Sequence, residues 1–196
     1  MYIILEGVDT AGKSTQIELL RQKFTEAIFT KEPGGTPLGQ KIKELVLQDA
    51  PSTLAEIFLF LADRAEHIQK LIKPNIHKRK RIFSDRGFIS GIAYAHIKSA
   101  LPIPKLQELN ELAMQGIKPD GIVLLLLSPQ ELLRRISSKE LDTIEQRGIE
   151  YLLEVQNIMK RLIEESSYPY LIVDASLPKQ KILHDIVEFV KEIDEH

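Results

Sequence analysis

The stretch Leu5-Glu6-Gly7-Val8-Asp9-Thr10-Ala11-Gly12-Lys13-Ser14-Thr15 governs how the rest of the chain is read. Gly7, Gly12, Lys13 and Ser14 fill the pattern G-x-x-x-x-G-K-[ST]. Glycines there let the backbone curl until successive N–H groups point inward at a polyphosphate. The first turn of the helix that follows adds unpaired N–H donors and the positive end of its dipole. Lys13 is expected to reach the β- and γ-phosphates, and the Ser14 hydroxyl to ligate Mg²⁺. The flanks agree: Met1-Tyr2-Ile3-Ile4-Leu5 reads as a buried strand, and Ile17, Leu20 and Phe24 form one helical stripe. Strand, curled loop and helix together make a phosphate cradle.

Composition narrows the class. At 196 residues the chain has the length of one α/β domain, residues 1–196, with no internal repeat or linker. A formal net charge of −2 argues against a dedicated nucleic-acid binder. With 0 cysteines there is no disulfide, no cysteine-based zinc site and no thiol nucleophile. The N-terminal strand lacks the charged start of a signal peptide. The longest apolar run, Ile122 to Leu127, is too short to span a bilayer. These features predict a soluble, cytoplasmic protein without nucleic-acid or membrane partners.

Outward from the cradle, Ala27 to Thr30 reads as a second strand running into the loop Lys31-Glu32-Pro33-Gly34-Gly35-Thr36. A helix from about Pro37 to Leu47 follows. Thr53 and Glu56 have the spacing of a capping box at the start of the next helix. Its expected core stripe is Leu54, Ile57, Phe58, Leu61, Ala65, Ile68 and Ile72, with an end near Lys73-Pro74. Phe60, Arg64 and His67 share a different face, either a ligand-facing edge or a solvated one. His77-Lys78-Arg79-Lys80-Arg81 reads as a solvated basic loop, since no aromatic residues are interleaved with it. The strand ending at Asp85-Arg86 places a carboxylate where P-loop proteins position Mg²⁺, beside a forked donor suited to phosphate oxygens. Helices are expected over Ser90 to Lys98 and Leu106 to Met114. Ile122 to Leu127 then reads as a central parallel strand. Ser128-Pro129 starts a helix carrying Arg134 and Arg135. A longer helix presents Ile144, Leu152, Val155, Met159 and Leu162. Tyr170 to Val173 is a last strand, with Asp174-Ala175-Ser176 as its exit and a closing helix behind it. Alternating strands and helices predict a three-layer α/β P-loop fold: a five-stranded parallel sheet with helices on both faces.

The phosphate loop, Glu32-Pro33-Gly34-Gly35-Thr36, Phe60-Leu61-Ala62-Asp63-Arg64 and Asp85-Arg86 together resemble the thymidylate kinase family of P-loop nucleoside monophosphate kinases. The resemblance runs from the first strand to Asp174-Ala175-Ser176. It implies transfer of the γ-phosphoryl group of ATP to dTMP, giving dTDP, with Mg²⁺ and in a homodimer. It places Gly7, Val8, Asp9, Thr10, Ala11, Gly12, Lys13, Ser14 and Thr15 on the donor nucleotide, with Arg134 and Ala175 beside it. Ser14 and Asp85 are its expected metal residues. Asp9 would meet the acceptor's 3′-hydroxyl and phosphate end, Phe60 would stack on thymine, and Arg64 would donate to base O4. Arg86 would clamp the acceptor phosphate and Tyr94 would crowd the 2′ position. Glu32, Pro33, Ser90 and Gly91 complete the expected acceptor pocket. The lid is expected at about 137–146, with Leu141-Asp142-x-x-Glu145 at its junction, and Arg135 and Lys139 sharing transition-state charge.

The chemistry agrees with this likeness. A monophosphate has a second pKa of about 6, so at neutral pH the attacking oxygen is already an anion and needs no general base. The difficulty is to bring two polyanions into line, which calls for cations. Two other readings stand beside it. Nucleotide-dependent partner binding needs no acceptor, although the N-K-x-D segment of a guanine-reading switch is absent. A deoxynucleoside kinase would use Glu32 or Asp85 to deprotonate a sugar hydroxyl.

Overall fold

The computed structural model describes residues 1–137 and 143–195. In chain order these comprise β1 (Tyr2–Glu6), α1 (Lys13–Lys23), β2 (Ile28–Lys31), α2 (Pro37–Asp49), α3 (Thr53–His67), a π-helical turn (Ile68–Ile72) and α4 (Lys73–His77). Next come β3 (Ile82–Asp85), α5 (Phe88–Ser99), α6 (Ile103–Met114), β4 (Gly121–Leu126), α7 (Pro129–Ser137), α8 (Thr143–Glu164), β5 (Tyr170–Asp174) and α9 (Lys179–Asp194). Lys139 and the centre of the expected lid lie outside the described residues.

The five strands form one parallel sheet in the order β2-β3-β1-β4-β5. β1 is central: Leu5 pairs with Asp85 on one side and Val123 on the other. Chain leaving the carboxyl end of β1 therefore faces crossovers diverging in opposite directions, and that divergence opens a crevice. Both faces of the sheet are covered, α1 packing with α9 and α5 with α8. Two-sided cover explains why Ile3, Leu5, Ile122, Val123, Leu124 and Leu125 are all inaccessible to solvent, and why these strands read as unbroken apolar runs.

Local signals account for the starts of two helices. Thr36 caps α2 by accepting a hydrogen bond from the Gly39 N–H at 3.0 Å. Ser128 Oγ accepts from Glu131 N at 3.2 Å, with Pro129 as the first residue of α7. Three expectations for α3 fail. Ser52, not Thr53, is the N-cap, and Glu56 pairs with Lys98 of α5 instead of closing a capping box. Leu54 and Phe58 leave the core stripe, at 52% and 53% exposed, because the helix buries its Asp63, Arg64 and His67 side instead. Polar partners waiting on β2 and α6 compensate that burial. Nor does the helix end at Pro74. The π-helical turn Ile68–Ile72 leads straight into α4, which contains Pro74; the hydrogen-bond ladder shifts register just where proline has no N–H to continue it.

Candidate active site

The phosphate loop hangs from the end of β1. Gly7 has φ +146°, and a Cβ there would lie 2.8 Å from the Leu125 carbonyl oxygen, so β4 leaves room for glycine alone. Gly12, at φ +97°, turns the chain into α1. Lys13 is buried, and its Nζ donates to the Gly7 and Val8 carbonyls at 2.9 Å each, which holds the loop curled. Burial, with Arg86 close by, pushes the Lys13 ammonium down to about 8. Ser14 Oγ donates to Asp85 Oδ2 at 3.4 Å, so the two expected metal residues meet at the lip of the loop. A hydroxyl and a carboxylate are hard oxygen donors of the kind that hold Mg²⁺ when substrate phosphates and water complete its shell.

Arg86 ties the loop to the next strand. Its φ of +72° is unusual for a side-chain-bearing residue, and its N–H donates to the Leu5 carbonyl at 2.9 Å. Nη1 donates to Gly7 O at 2.9 Å and to Ser90 Oγ at 3.2 Å, and Nη2 to Asp9 Oδ1 at 2.6 Å. The guanidinium carbon also lies 5.6 Å from the centre of the Tyr94 ring. Burial pushes the Tyr94 hydroxyl up to about 12. Behind Arg86, the fully buried Glu6 accepts from the N–H and hydroxyl of Ser90, and burial raises its carboxyl above the ordinary range. Glu6 escaped sequence reasoning because in a buried strand it reads only as the residue before a glycine.

A second network holds the loop after β2. The Glu32–Pro33 peptide is cis. Asp63 Oδ1 accepts from Gly34 N at 3.1 Å, and Gln40 Nε2 donates to Gly34 O at 2.7 Å. Glu32 Oε2 accepts from Arg64 Nε at 2.9 Å and Nη2 at 2.8 Å, while Oε1 meets His67 Nδ1 at 2.8 Å. His67 Nε2 in turn meets Thr30 Oγ1 at 2.7 Å. His67 is therefore a wholly buried brace and not part of a ligand-facing edge, because the buried Glu32 needs donors on both oxygens. Burial would raise the Glu32 carboxyl, but Arg64 and His67 outweigh it and hold it below the ordinary range. Phe60 is half-buried one helical turn before Arg64. Asn110 of α6 completes the network by accepting from Arg64 Nη1. A lone asparagine on an amphipathic helix gives no sequence signal of this kind.

On the other flank, Arg135 spans two loops. Its Nη1 donates to Thr10 O at 2.9 Å and its Nη2 to Ala175 O at 2.6 Å, while Nε meets Glu131 at 2.6 Å. Arg134, expected beside it, donates to Glu131 at 2.8 and 2.7 Å and is not brought to the phosphate loop. These two hydrogen-bonded arginines pull the Glu131 carboxyl down to about 2. Asp174 Oδ1 closes the exit of β5 on Ser176 N at 2.8 Å.

A curled anion cradle with Arg86 tied to its loop, at the divergence beside β1, is the build of a P-loop nucleoside monophosphate kinase. A family model described as Thymidylate kinase matches residues 5–186. The thymidylate kinase of Aliarcobacter butzleri (strain RM4018) is 50% identical over 191 residues, covering 97% of this chain and 98% of the relative. That of Wolinella succinogenes is 51% identical over 188 residues, covering 95% and 96%. A crystal structure of thymidylate kinase from Ehrlichia chaffeensis shares the fold with a TM-score of 0.78 at 22% identity, over 97% of this chain and 98% of that one. The chain belongs to the thymidylate kinase family.

Proposed function

We propose that the cleft beside β1 aligns ATP and dTMP for direct transfer of the γ-phosphoryl group, and that Arg86 is its central cation. The reaction is that of the family: ATP and dTMP give ADP and dTDP. The observation that carries the division of roles is that Gly7 O accepts from both Lys13 Nζ and Arg86 Nη1, each at 2.9 Å. A donor-side and an acceptor-side cation thus meet on one carbonyl, where two phosphate chains have to be brought end to end.

Gly12, Lys13, Ser14 and Thr15 hold the donor's phosphates, and the N–H groups opening α1 favour their charge. Arg135 holds Thr10 and Ala175 at a fixed spacing around the donor. Arg86 clamps the acceptor phosphate, oriented by Asp9 and Ser90. Phe60 stacks on the base, Arg64 donates to its O4, and Tyr94 crowds the sugar's 2′ position. The attacking phosphate oxygen is already ionised, so no residue has to remove a proton. This also weakens the deoxynucleoside-kinase reading for Glu32, both of whose carboxylate oxygens are taken by Arg64 and His67. Ser14 and Asp85 would hold Mg²⁺, which supplies charge neutralisation across the β- and γ-phosphates. A cytoplasmic site of action suits an enzyme whose two substrates are free nucleotides.

A homodimer is part of the same proposal. Leu54 and Phe58 of α3 and Leu38, Leu45 and Leu47 of the adjoining α2 are between 40% and 73% exposed. Five large apolar side chains on two packed helices suit a second copy of the chain better than water does. The deciding experiment for the reaction is an acceptor panel. With ATP and Mg²⁺, dTMP should give ADP and dTDP stoichiometrically, while thymidine should give none. ADP release indifferent to the acceptor would overturn the reading.

A further inference from the structure

Of the groups around the base-side network, Asn110 has the least obvious reason to be polar. It is 4% exposed and lies on α6, outside every motif of the chain. Its Nδ2 donates to the Leu106 carbonyl of its own helix at 2.7 Å, which fixes the amide. Its Oδ1 then faces Arg64 Nη1. A guanidinium has about five N–H donors in one plane. Nε and Nη2 meet Glu32 along one edge, and Nη1 meets Asn110 on the opposite side. Two N–H groups remain, those pointing forward between the terminal nitrogens.

What lies ahead of them is Gly91. A Cβ on Gly91 would sit 3.0 Å from both Nη1 and Nη2 and 3.4 Å from Cζ. The carbon between the nitrogens is the farthest of the three, so this point is in front of the fork and not over its face. A side chain at position 91 would press on the end of the fork, and Arg64 would have to give way by a few tenths of an ångström. Glycine puts no side chain in front of the fork, and the Arg64 side chain is 6% exposed.

We propose that Asn110 is a positioning residue for base selection: with Glu32 it sets the plane of Arg64, so that the two forward N–H groups face the opening left by Gly91 and accept a carbonyl oxygen, not an amino group, on the incoming nucleotide. This rests on the assignment of Arg64 to the acceptor base under Proposed function. A carbonyl at the pyrimidine 4-position offers an acceptor to this fork, whereas an amino group there opposes donor to donor. Without Asn110 the guanidinium is held along one edge only and can swing about its Nε–Cζ end.

The test measures kcat and KM for dTMP and for dCMP in the wild type and in the Asn110→Leu, Asn110→Asp, Gly91→Ala and Arg64→Ala variants, with thermal melting of each. Asn110→Leu should raise KM for dTMP about tenfold and lower the preference for dTMP over dCMP by a similar factor, with kcat nearly unchanged. Asn110→Asp keeps an acceptor facing Arg64 but loses the donor to the Leu106 carbonyl, so it should restore part of that preference. A purely structural role would instead move melting and kcat together with KM and leave the preference between dTMP and dCMP unchanged. Gly91→Ala should also raise KM for dTMP and erode the preference, although alanine favours the α5 helix. If Asn110→Leu melts normally and keeps its preference while Arg64→Ala loses it, positioning by Asn110 is wrong and the base role of Arg64 stands. If Arg64→Ala keeps the preference, both fall. Should Asn110→Leu not fold, an unchanged preference in Gly91→Ala would overturn the proposal.

Discussion

Arg86 Nη2 donates to Asp9 Oδ1 at 2.6 Å, joining the end of β3 to the middle of the phosphate loop. The same guanidinium reaches Gly7 O and Ser90 Oγ, so its donors are aimed by three partners from two segments, the phosphate loop and α5. A lysine carries the charge but not the planar fork. Arg86→Lys should therefore lose at least about a hundredfold in kcat/KM for dTMP, close to Arg86→Ala. Steady-state kinetics with ATP saturating is the check, and a lysine variant within threefold of wild type would show that charge alone suffices.

Lys13 makes the donor affinity depend on pH. Its ammonium is pushed from an ordinary 10.5 to about 8. Bound phosphates favour the charged form, so binding above pH 8 has to take up a proton. Kd for ATP should rise with pH beyond about 8, where an unperturbed lysine would hold steady for two further units. Calorimetry at pH 8.5 in buffers of different ionisation enthalpy should register the proton uptake.

Arg135 and Arg134 are neighbours that share Glu131 and differ in what else they reach. Arg135 bridges Thr10 O and Ala175 O, whereas the hydrogen bonds of Arg134 go to Glu131. Arg135→Ala should raise KM for ATP about tenfold by releasing the two loops it spans. Arg134→Ala should change it less than about twofold, as expected for an exposed pair. Equal effects would refute the distinction.

Glu32 is a stability residue as much as a site residue. Removing it leaves Arg64 buried without its carboxylate, so Glu32→Ala should cost about 3 to 5 kcal/mol and lower Tm by about 10 °C. The sign of its pH dependence follows from a folded-state pKa below the ordinary 4.5. Its contribution is present above pH 4.5 and is lost as pH falls through the depressed folded value. The difference in Tm between wild type and variant should shrink on acidification below pH 4.5.

Phe58 tests the dimer. It is 53% exposed on α3, so a charged replacement has room in the monomer. Phe58→Asp should leave the melting of an isolated subunit near that of wild type while shifting the sedimenting species to half the mass. Sedimentation velocity at micromolar protein reads this directly, and an unchanged mass would place any interface elsewhere.

Much of this was legible from residue order because the signals are local. G-x-x-x-x-G-K-[ST] encodes its own backbone path, and β1, β3 and β4 are buried on both faces, so they read as apolar runs. Asp85-Arg86 lay at a strand end, and Ser128-Pro129 started its helix as its chemistry requires. α3 resisted for a physical reason. Its apolar residues lie on more than one face, and periodicity cannot tell which face meets the core and which meets another surface. The choice depended on Glu32 and Asn110, about thirty and forty-five residues away from Arg64, whose burial they compensate.

Residue order, then, specified the anion cradle, the alternation of strands and helices and the pair of motifs that name the family, since each arises from contacts within a few residues. It did not specify that Arg86 and Lys13 share the Gly7 carbonyl, that His67 is a brace, or that Asn110 and Gly91 frame the Arg64 fork. Those are meetings of segments far apart along the chain, brought about only when a common core draws them together and buried polar atoms have to find partners there.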